Sequence, residues 1–387
     1  MSDWRKMNKD ELEHQFSPSS WSHRMSADDV IRAHVAALKA GTEKARSVTQ
    51  TLLDVPYGDG DGEKLDVYVP SSSRPDVPLV IYFHGGYWQF LSKNESGFLA
   101  VPLVQRGVVV VAVGYSVAPK GDMDLMVSQV RRSVVSVVQQ YSHISGLYLC
   151  GHSAGAHLAA MVLSTDWTQY DISPQIKGAF LVSGIYDLQP ILSTYVNEPL
   201  KMTEEVAIRN SPSHFLPQLK RSSTSCDIIV AVAQNDSPEF RKQSEEYFKA
   251  LESAGLRVSF EDVPNTDHFN IIEQLVDENY RLTKLLLKMM GKVDDRQITQ
   301  NALRWNRPRA VTRCGFPFMV SPCSPPSPAP SPTRVSASDG EPSRWQPSWL
   351  WPSSCTCTKC HQAPLTAKLA VSARGDPAET CQAQSQA

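Results

Sequence analysis

The sequence predicts an α/β protein whose mostly parallel, eight-stranded sheet is flanked by helices. Short apolar segments alternate with longer helical stretches between residues 51 and 290. The middle segments are apolar without interruption, as expected of strands that are buried on both faces of a sheet. The composition changes sharply near residue 291. We therefore expect one domain over residues 1–290, followed by a tail over residues 291–387 that is disordered.

The predicted elements follow one another in a regular order. Residues 7–46 are polar with a helical pattern, and Ser26 before Asp28 and Asp29 indicates a helix start. The predicted strands are 51–57, 64–70, 79–84, 108–115, 147–151, 178–183, 227–233 and 257–263, and the predicted helices are 122–142, 154–164, 238–254 and 268–290. The first two strands alternate as a half-exposed hairpin would. The others favour parallel pairing through right-handed crossovers.

Composition and charge exclude several classes of protein. The chain has 387 residues, of which 41% are hydrophobic and 20% charged, so it is neither collagenous nor a coiled coil. Its formal net charge of −2 gives no electrostatic reason to expect a nucleic-acid partner. We find neither the apolar core of a signal peptide nor a membrane-spanning segment. We expect a cytoplasmic protein with no membrane partner, and the nucleus as a second location.

The tail differs from the rest of the chain. Residues 291–387 contain 13 of the 27 prolines, 6 of the 8 cysteines and 4 of the 8 tryptophans. They carry 11 Lys+Arg against 6 Asp+Glu, a net +5, whereas residues 1–290 carry −7. This composition without periodicity predicts disorder. Cys357, Cys360 and His361 match a C-x-x-C-H haem-attachment pattern, and the same residues with Cys355 could bind zinc. Both interpretations are less favoured than a disordered tail without a bound group.

The strongest local motif is Gly151-His152-Ser153-Ala154-Gly155. It directly follows the apolar segment 147–150 and directly precedes a helical stretch. A nucleophile elbow requires this strand–turn–helix setting, because glycines relieve crowding at the turn and the serine oxygen then projects above the sheet. The alternative is an ordinary glycine-rich turn between a strand and a helix.

A second motif, His84-Gly85-Gly86-Tyr87-Trp88, follows the strand 79–84. Two glycines allow the backbone to approach a substrate closely and to direct N–H groups at a developing oxyanion. With a nucleophile elbow downstream, we predict an oxyanion hole formed by Gly85, Gly86 and Ala154. His84 is expected to hold this loop by hydrogen bonds. The alternative is a turn whose aromatic side chains are simply packed.

A nucleophilic serine needs a base, and the base needs a carboxylate that orients it. His268 follows the last predicted strand, and Asp236 follows the strand before it. The chain order Ser153…Asp236…His268 is that of α/β hydrolases, with all three residues at the carboxyl ends of parallel strands. Asp187 is the alternative acid. Asp267 is disfavoured because it is the residue next to His268 and cannot easily turn its carboxylate onto that ring. The other histidines near these motifs are expected to pack, line the pocket or have structural roles: His152, His157 and His214.

Together with Ser183-Gly184-Ile185-Tyr186-Asp187-Leu188, these motifs resemble the kynurenine formamidase (arylformamidase) family over about residues 1–285. The resemblance implies an α/β-hydrolase catalytic domain that converts N-formyl-L-kynurenine to L-kynurenine and formate in tryptophan catabolism. It also implies a homodimer and a reaction without cofactor or metal. Hormone-sensitive-lipase relatives usually have a third glycine where Tyr87 stands. Tyr87 and Trp88 suit a pocket for a flat aromatic substrate.

The resemblance implies a serine-hydrolase mechanism for these residues. Ser153 would attack the formyl carbonyl, His268 would act as general base, and Asp236 would fix the histidine tautomer. Two other interpretations stay open. One is a general carboxylesterase with the same triad, since acyl specificity depends on pocket shape. The other is a catalytically silent hydrolase fold that binds a ligand.

Overall fold

A computed structural model describes residues 3–71, 76–223 and 225–292. The predicted disorder of the tail and its cysteine and histidine matches lie outside the described residues. The predicted boundary between domain and tail likewise stays a prediction.

An eight-stranded sheet forms the centre of the described chain, and all eight predicted strands are present. The strands are β1 (Gln50–Pro56), β2 (Lys64–Val69), β3 (Val77–Phe83), β4 (Val109–Val113), β5 (Ile144–His152), β6 (Ile176–Val182), β7 (Asp227–Asn235) and β8 (Arg257–Asp267). Their order across the sheet is β1-β2-β4-β3-β5-β6-β7-β8. The pairings of β2 with β1 and with β4 are antiparallel, and all other pairings are parallel. The mostly parallel sheet is therefore confirmed.

Helices cover both faces of the sheet. They are α1 (Lys9–Gln15), α2 (Ala27–Val48), α3 (Ala100–Gln105), α4 (Met123–Gln140), α5 (Ala154–Leu163), α6 (Asn197–Leu200), α7 (Glu204–Arg209), α8 (Leu216–Ser222), α9 (Pro238–Ser253), α10 (Asn270–Glu273) and α11 (Arg281–Met289). Side chains of α4, α5 and α9 pack on one face, and those of α2, α3 and α11 on the other. This sandwich of helix, sheet and helix buries the apolar strands on both sides.

The prediction of a half-exposed hairpin is right about the pairing and wrong about the exposure of β2. β1 and β2 do pair, but β2 is buried on both faces, because Leu65 and Val67 pack into one core and Tyr68 into the other. Its Asp66 is fully buried and forms ion pairs with Arg46 and Lys93, each at 2.8 Å. A carboxylate is tolerated in the interior when such partners satisfy it. Alternation of polar and apolar residues therefore did not indicate an exposed face here.

Two of the predicted helical stretches are interrupted. The stretch 268–290 divides into α10, a 3-10 turn and α11, because Asp277 is extended and its carboxylate accepts a hydrogen bond from the Asn279 amide. Such local side-chain bonds compete with helix hydrogen bonds. Within residues 7–46, a 3-10 turn at Pro18–Trp21 separates α1 from α2. Ser26 does cap α2, accepting from the Asp29 amide.

Residues 189–222 carry short helices that the sequence analysis did not assign. They consist of α6, α7, α8 and two 3-10 turns, Gln189–Ser193 and Pro212–Phe215. This segment connects β6 to β7 and contacts the loop after β3, where the Gln89 side chain donates to the Val196 carbonyl at 2.8 Å. It therefore lies over the carboxyl ends of the strands.

Helix α5 packs against the backbone of neighbouring strands with no space for larger side chains. A Cβ atom at Gly155 would lie 1.9 Å from the Phe83 carbonyl oxygen of β3, and one at Gly151 would lie 2.2 Å from the Gly155 carbonyl oxygen. Both clashes are with main-chain atoms, which have little freedom to move aside. The two glycines thus set the distance between α5 and the sheet.

We predict that Gly155→Ala destabilises the fold by about 3 kcal/mol or more, because the new methyl group forces α5 away from β3. Denaturant unfolding followed by circular dichroism measures the change. Ala36→Ser, on an exposed position of α2, is the control and should change the free energy of unfolding by less than about 0.5 kcal/mol. A Gly155→Ala protein as stable as the parent would contradict this account of the packing.

Candidate active site

Ser153 occupies a sharp turn between β5 and α5. Its φ of +57° and ψ of −121° lie outside the regions that L-residues ordinarily adopt. Strain of this kind costs on the order of 1–3 kcal/mol and persists only where the surroundings impose it. Here the Ser153 amide donates to the Val182 carbonyl of β6 at 2.8 Å. The strand–turn–helix setting that the motif predicts is therefore present, with Ser153 at its tip.

His268 and Asp236 meet at the ends of β8 and β7. The His268 Nδ1 and the Asp236 Oδ1 atoms are 2.6 Å apart, and both side chains are almost fully buried. A hydrogen bond to a charged acceptor is shorter and stronger than a neutral one. Its geometry leaves the Nε2 atom of His268 as the ring nitrogen that is free of this carboxylate. The two residues that the sequence paired are thus brought together.

The His152 side chain holds the main chain of His268. The His152 Nε2 atom lies 2.7 Å from the His268 carbonyl oxygen, and the two rings are 4.8 Å apart. This bond ties the residue before Ser153 to His268 and so places the serine and the histidine in one site. Burial, together with the nearby His268 and His34, lowers the pKa of His152 well below its usual value. His152 is therefore neutral and donates from Nε2.

Asp267 anchors the turn after β8 that carries His268. Its carboxylate accepts from the Arg24 side chain, from the Ser22 hydroxyl at 2.7 Å and from the amides of Phe269 and Asn270. Burial acts to raise the pKa of Asp267, but these hydrogen bonds outweigh burial and lower it. Asp267 is therefore ionised and fully engaged, which agrees with its exclusion as the acid.

Asp187 is not the acid partner of the histidine. Its carboxylate accepts from the Gln189 amide at 3.0 Å, and its own amide donates to the Gln243 side chain. It thus organises the turn after β6. His214 lies exposed in the 3-10 turn Pro212–Phe215, and its expected structural role stays a prediction.

Of the predicted oxyanion groups, Gly85 and Ala154 lie beside Ser153, and Gly86 follows in the same loop as Gly85. A Cβ atom at Gly85 would be 3.2 Å from the Ser153 Cβ atom, so the backbone of Gly85 directly faces the serine. Ala154 begins α5, and the first amides of a helix have no partner within it. Gly86 forms the next turn with a φ of +94°, and its carbonyl accepts from Gln89 and Phe90. A Cβ atom there would meet the Phe90 carbonyl oxygen at 2.5 Å, which explains the second glycine.

His84 holds the oxyanion loop. Its ring stacks on Tyr115 with centroids 4.2 Å apart, and its Nδ1 atom is 2.9 Å from the Gly85 carbonyl oxygen. The Tyr115 hydroxyl donates to the His84 carbonyl at 2.9 Å. Burial lowers the pKa of His84 to about 4. A neutral imidazole in this position supports the loop, as the sequence analysis expected.

Trp88 does not line an open pocket, contrary to the expectation for the aromatic pair. It is fully buried, and its indole N–H donates to the His157 Nδ1 atom at 3.2 Å. His157 must then donate from Nε2 to the Asn210 carbonyl, 2.6 Å away. Trp88 and His157 therefore connect the loop after β3, helix α5 and the segment 189–222. Tyr87 is half-buried and donates to the Phe16 carbonyl at 2.7 Å.

The N-terminal segment contributes contacts that the sequence analysis missed. Phe16 is 1% exposed and lies against Phe240, which in turn meets the His268 ring edge-on at 4.7 Å. The hydroxyl of Tyr195 also donates to the Phe16 carbonyl. No spacing or motif indicated these contacts, because they join residues that are far apart in the chain.

Two further observations bear on ligands and membranes. Among residues 3–71, 76–223 and 225–292, no group of three or more His, Cys, Asp or Glu side chains is arranged to hold a metal ion. Within the same part of the chain, no helix is both long and apolar enough to cross a membrane.

We predict that His157→Gln weakens the dependence of stability on pH. Burial lowers the pKa of His157 to about 4, below its unfolded value of 6.5. Between these pH values the unfolded state binds the extra proton, so stability falls as pH decreases from 6.5 to 4. Removing this group should flatten the slope by up to about 1.4 kcal/mol per pH unit. Urea unfolding at several pH values measures it.

His214→Gln, at an exposed position, is the matched control and should keep the parent slope. Equal slopes in the parent and in His157→Gln would show that His157 is not held neutral by the fold.

Comparison with known proteins agrees with this geometry. A family model described as alpha/beta hydrolase fold matches residues 80–271. A solved putative thioesterase from Silicibacter is 26% identical, with a TM-score of 0.58 over 71% of this chain and 98% of that one. The kynurenine formamidase of Danio rerio is 88% identical over 292 residues, and that of Salmo salar is 81% identical over 293; each match covers 76% of this chain and 100% of the relative. The chain therefore belongs to the kynurenine formamidase family of α/β hydrolases.

Proposed function

We propose that this protein hydrolyses N-formyl-L-kynurenine to L-kynurenine and formate, with Ser153 as nucleophile. The observation that carries the proposal is the buried hydrogen bond of 2.6 Å between His268 and Asp236 at the end of the sheet where Ser153 occupies its strained turn. Sequence identities of 88% and 81% over the full length of two relatives named kynurenine formamidase support the substrate.

In the first half-reaction, the Ser153 Oγ atom attacks the formyl carbon while its proton passes to the His268 Nε2 atom. Asp236 accepts from Nδ1, fixes the tautomer and stabilises the imidazolium that forms. The negative charge on the former carbonyl oxygen is directed at the amides of Ala154 and the Gly85–Gly86 loop. The Ser153 amide is not available for this purpose because it donates to Val182.

Collapse of the tetrahedral intermediate breaks the carbon–nitrogen bond. His268 returns the proton to the departing arylamine, which leaves as L-kynurenine, and a formyl ester remains on Ser153. Water then attacks this ester, with His268 again taking a proton, and formate is released as the serine recovers its hydrogen. No metal or cofactor takes part in these steps. The expected homodimer and cellular location stay predictions.

Ester hydrolysis is the second candidate function. It is favoured by the likeness to the solved putative thioesterase, since ester and thioester cleavage use the same nucleophile, base and oxyanion donors. A ligand-binding protein without catalysis is less consistent with a carboxylate–histidine pair buried beside a serine elbow.

We predict a higher kcat/KM for N-formyl-L-kynurenine than for p-nitrophenyl acetate, although the ester is the more reactive compound. Only binding of the kynurenine portion compensates for the lower reactivity of the formamide. Initial rates with both substrates measure the ratio. Ester cleavage without any formamide cleavage would overturn the proposed substrate and favour the second candidate.

We predict that Ser153→Ala folds normally but loses turnover by at least about four orders of magnitude, together with labelling by a fluorophosphonate probe. Alanine retains the space and the backbone at the turn while removing the attacking oxygen. Ser47→Ala, at an exposed position of α2, should retain both activity and labelling. Near-normal turnover in Ser153→Ala would identify a different nucleophile.

A further inference from the structure

Ser183 occupies an unusual position at the end of β6. Its side chain is fully buried, and its φ of +46° lies in the left-handed region. The Ser183 amide donates to the Ala231 carbonyl of β7 at 2.7 Å, and its hydroxyl donates to the Asp236 Oδ2 atom at 2.5 Å. This serine therefore touches the carboxylate that orients His268.

The two oxygens of Asp236 have separate partners. Oδ1 accepts from His268, whereas Oδ2 accepts from the Ser183 hydroxyl and from the Ala233 amide at 2.9 Å. Two donors on one oxygen fix the plane of the carboxylate, and this plane directs Oδ1 at the histidine. Ala233 lies in β7, three residues before Asp236, whereas Ser183 follows β6. Of these two donors, only Ser183 therefore comes from a neighbouring part of the sheet.

The turn that carries Ser183 is itself held in place. The amides of Tyr186 and Asp187 both donate to the Gln243 side chain of α9, at 2.7 and 3.0 Å. Glycine adopts a left-handed φ without steric cost. What a serine adds at position 183 is therefore its hydroxyl, placed on Asp236.

We propose that Ser183 is a positioning residue for the hydrolytic reaction, which acts through Asp236 by holding and partly neutralising its carboxylate. This inference rests on the proposed function. Without the hydroxyl, more of the negative charge of Asp236 is directed at His268, so the protonated imidazole is held more strongly. A smaller share of His268 is then free to act as base at a given pH.

Several other titratable or charged groups surround the pair from each neighbouring element, and none of them changes in the variants below. They are His152 at the end of β5, His34 on α2 with its partner Glu273 on α10, Asp267 with its partner Arg24, Tyr87 in the oxyanion loop and Arg241 on α9. A difference between variants thus reports on Ser183.

The test compares Ser183→Ala and Ser183→Gly with the parent over a range of pH. Both variants lose the hydroxyl, but only glycine relieves the backbone strain. We expect both to lower kcat about tenfold, to leave KM nearly unchanged and to move the acidic limb of kcat/KM by about half a pH unit or more to higher pH. Ser133→Ala removes an equally buried hydroxyl from α4 and should leave the limb in place.

A second measurement does not depend on turnover. The proton on the His268 Nδ1 atom should give a far-downfield NMR resonance, and its position should change in both Ser183 variants but not in Ser133→Ala. An unchanged acidic limb and an unchanged resonance in Ser183→Ala would overturn the inference. Effects that differ between Ala and Gly in proportion to thermal stability would also overturn it, since backbone strain would then be the cause. A parent protein without formamide turnover would overturn the proposed function alone.

Discussion

The close approach of α5 to the backbones of β3 and β5 is the constraint on which the rest of the site depends. Because Gly151 and Gly155 leave no space between helix and strands, the chain must reverse within one residue, and Ser153 takes the strained conformation. The same contact brings the loop after β3 against the serine. Backbone packing thus places the proposed nucleophile and brings the proposed oxyanion loop against it, while the His84 and Tyr115 side chains hold that loop.

The proposed acid and base are positioned by side-chain hydrogen bonds instead. Asp236 and His268 extend from neighbouring parallel strands, and a network of buried hydrogen bonds fixes their orientation: Ser183 and Ala233 on Asp236, and His152 on the His268 carbonyl. In an interior of low polarity, such bonds are strong when complete and costly when one is missing. The site therefore combines a rigid backbone turn with a side-chain network that is sensitive to the loss of single donors.

Much of the fold and of the candidate site could be predicted because the informative patterns are local. Continuous apolar segments indicate buried strands, and Ser153, Asp236 and His268 each follow such a strand directly. The short helices of residues 189–222 are too brief for a clear period. Asp66 is buried although the alternation predicted an exposed face, because its ion-pair partners Arg46 and Lys93 come from elsewhere in the chain. The contacts of Ser183, His152 and Arg24 join residues separated by 53, 116 and 243 positions, and no local pattern records such distances.

The anchoring of Asp267 by Arg24 has a consequence for how the enzyme is made. The ribosome releases the N-terminal segment first, yet Arg24 in this segment meets Asp267 only after the last strand of the sheet has emerged. Closing so long a loop costs entropy that local structure does not recover, and contacts of this separation slow folding. We therefore expect catalytic competence to be acquired late in synthesis, when both ends of the described chain come together around His268.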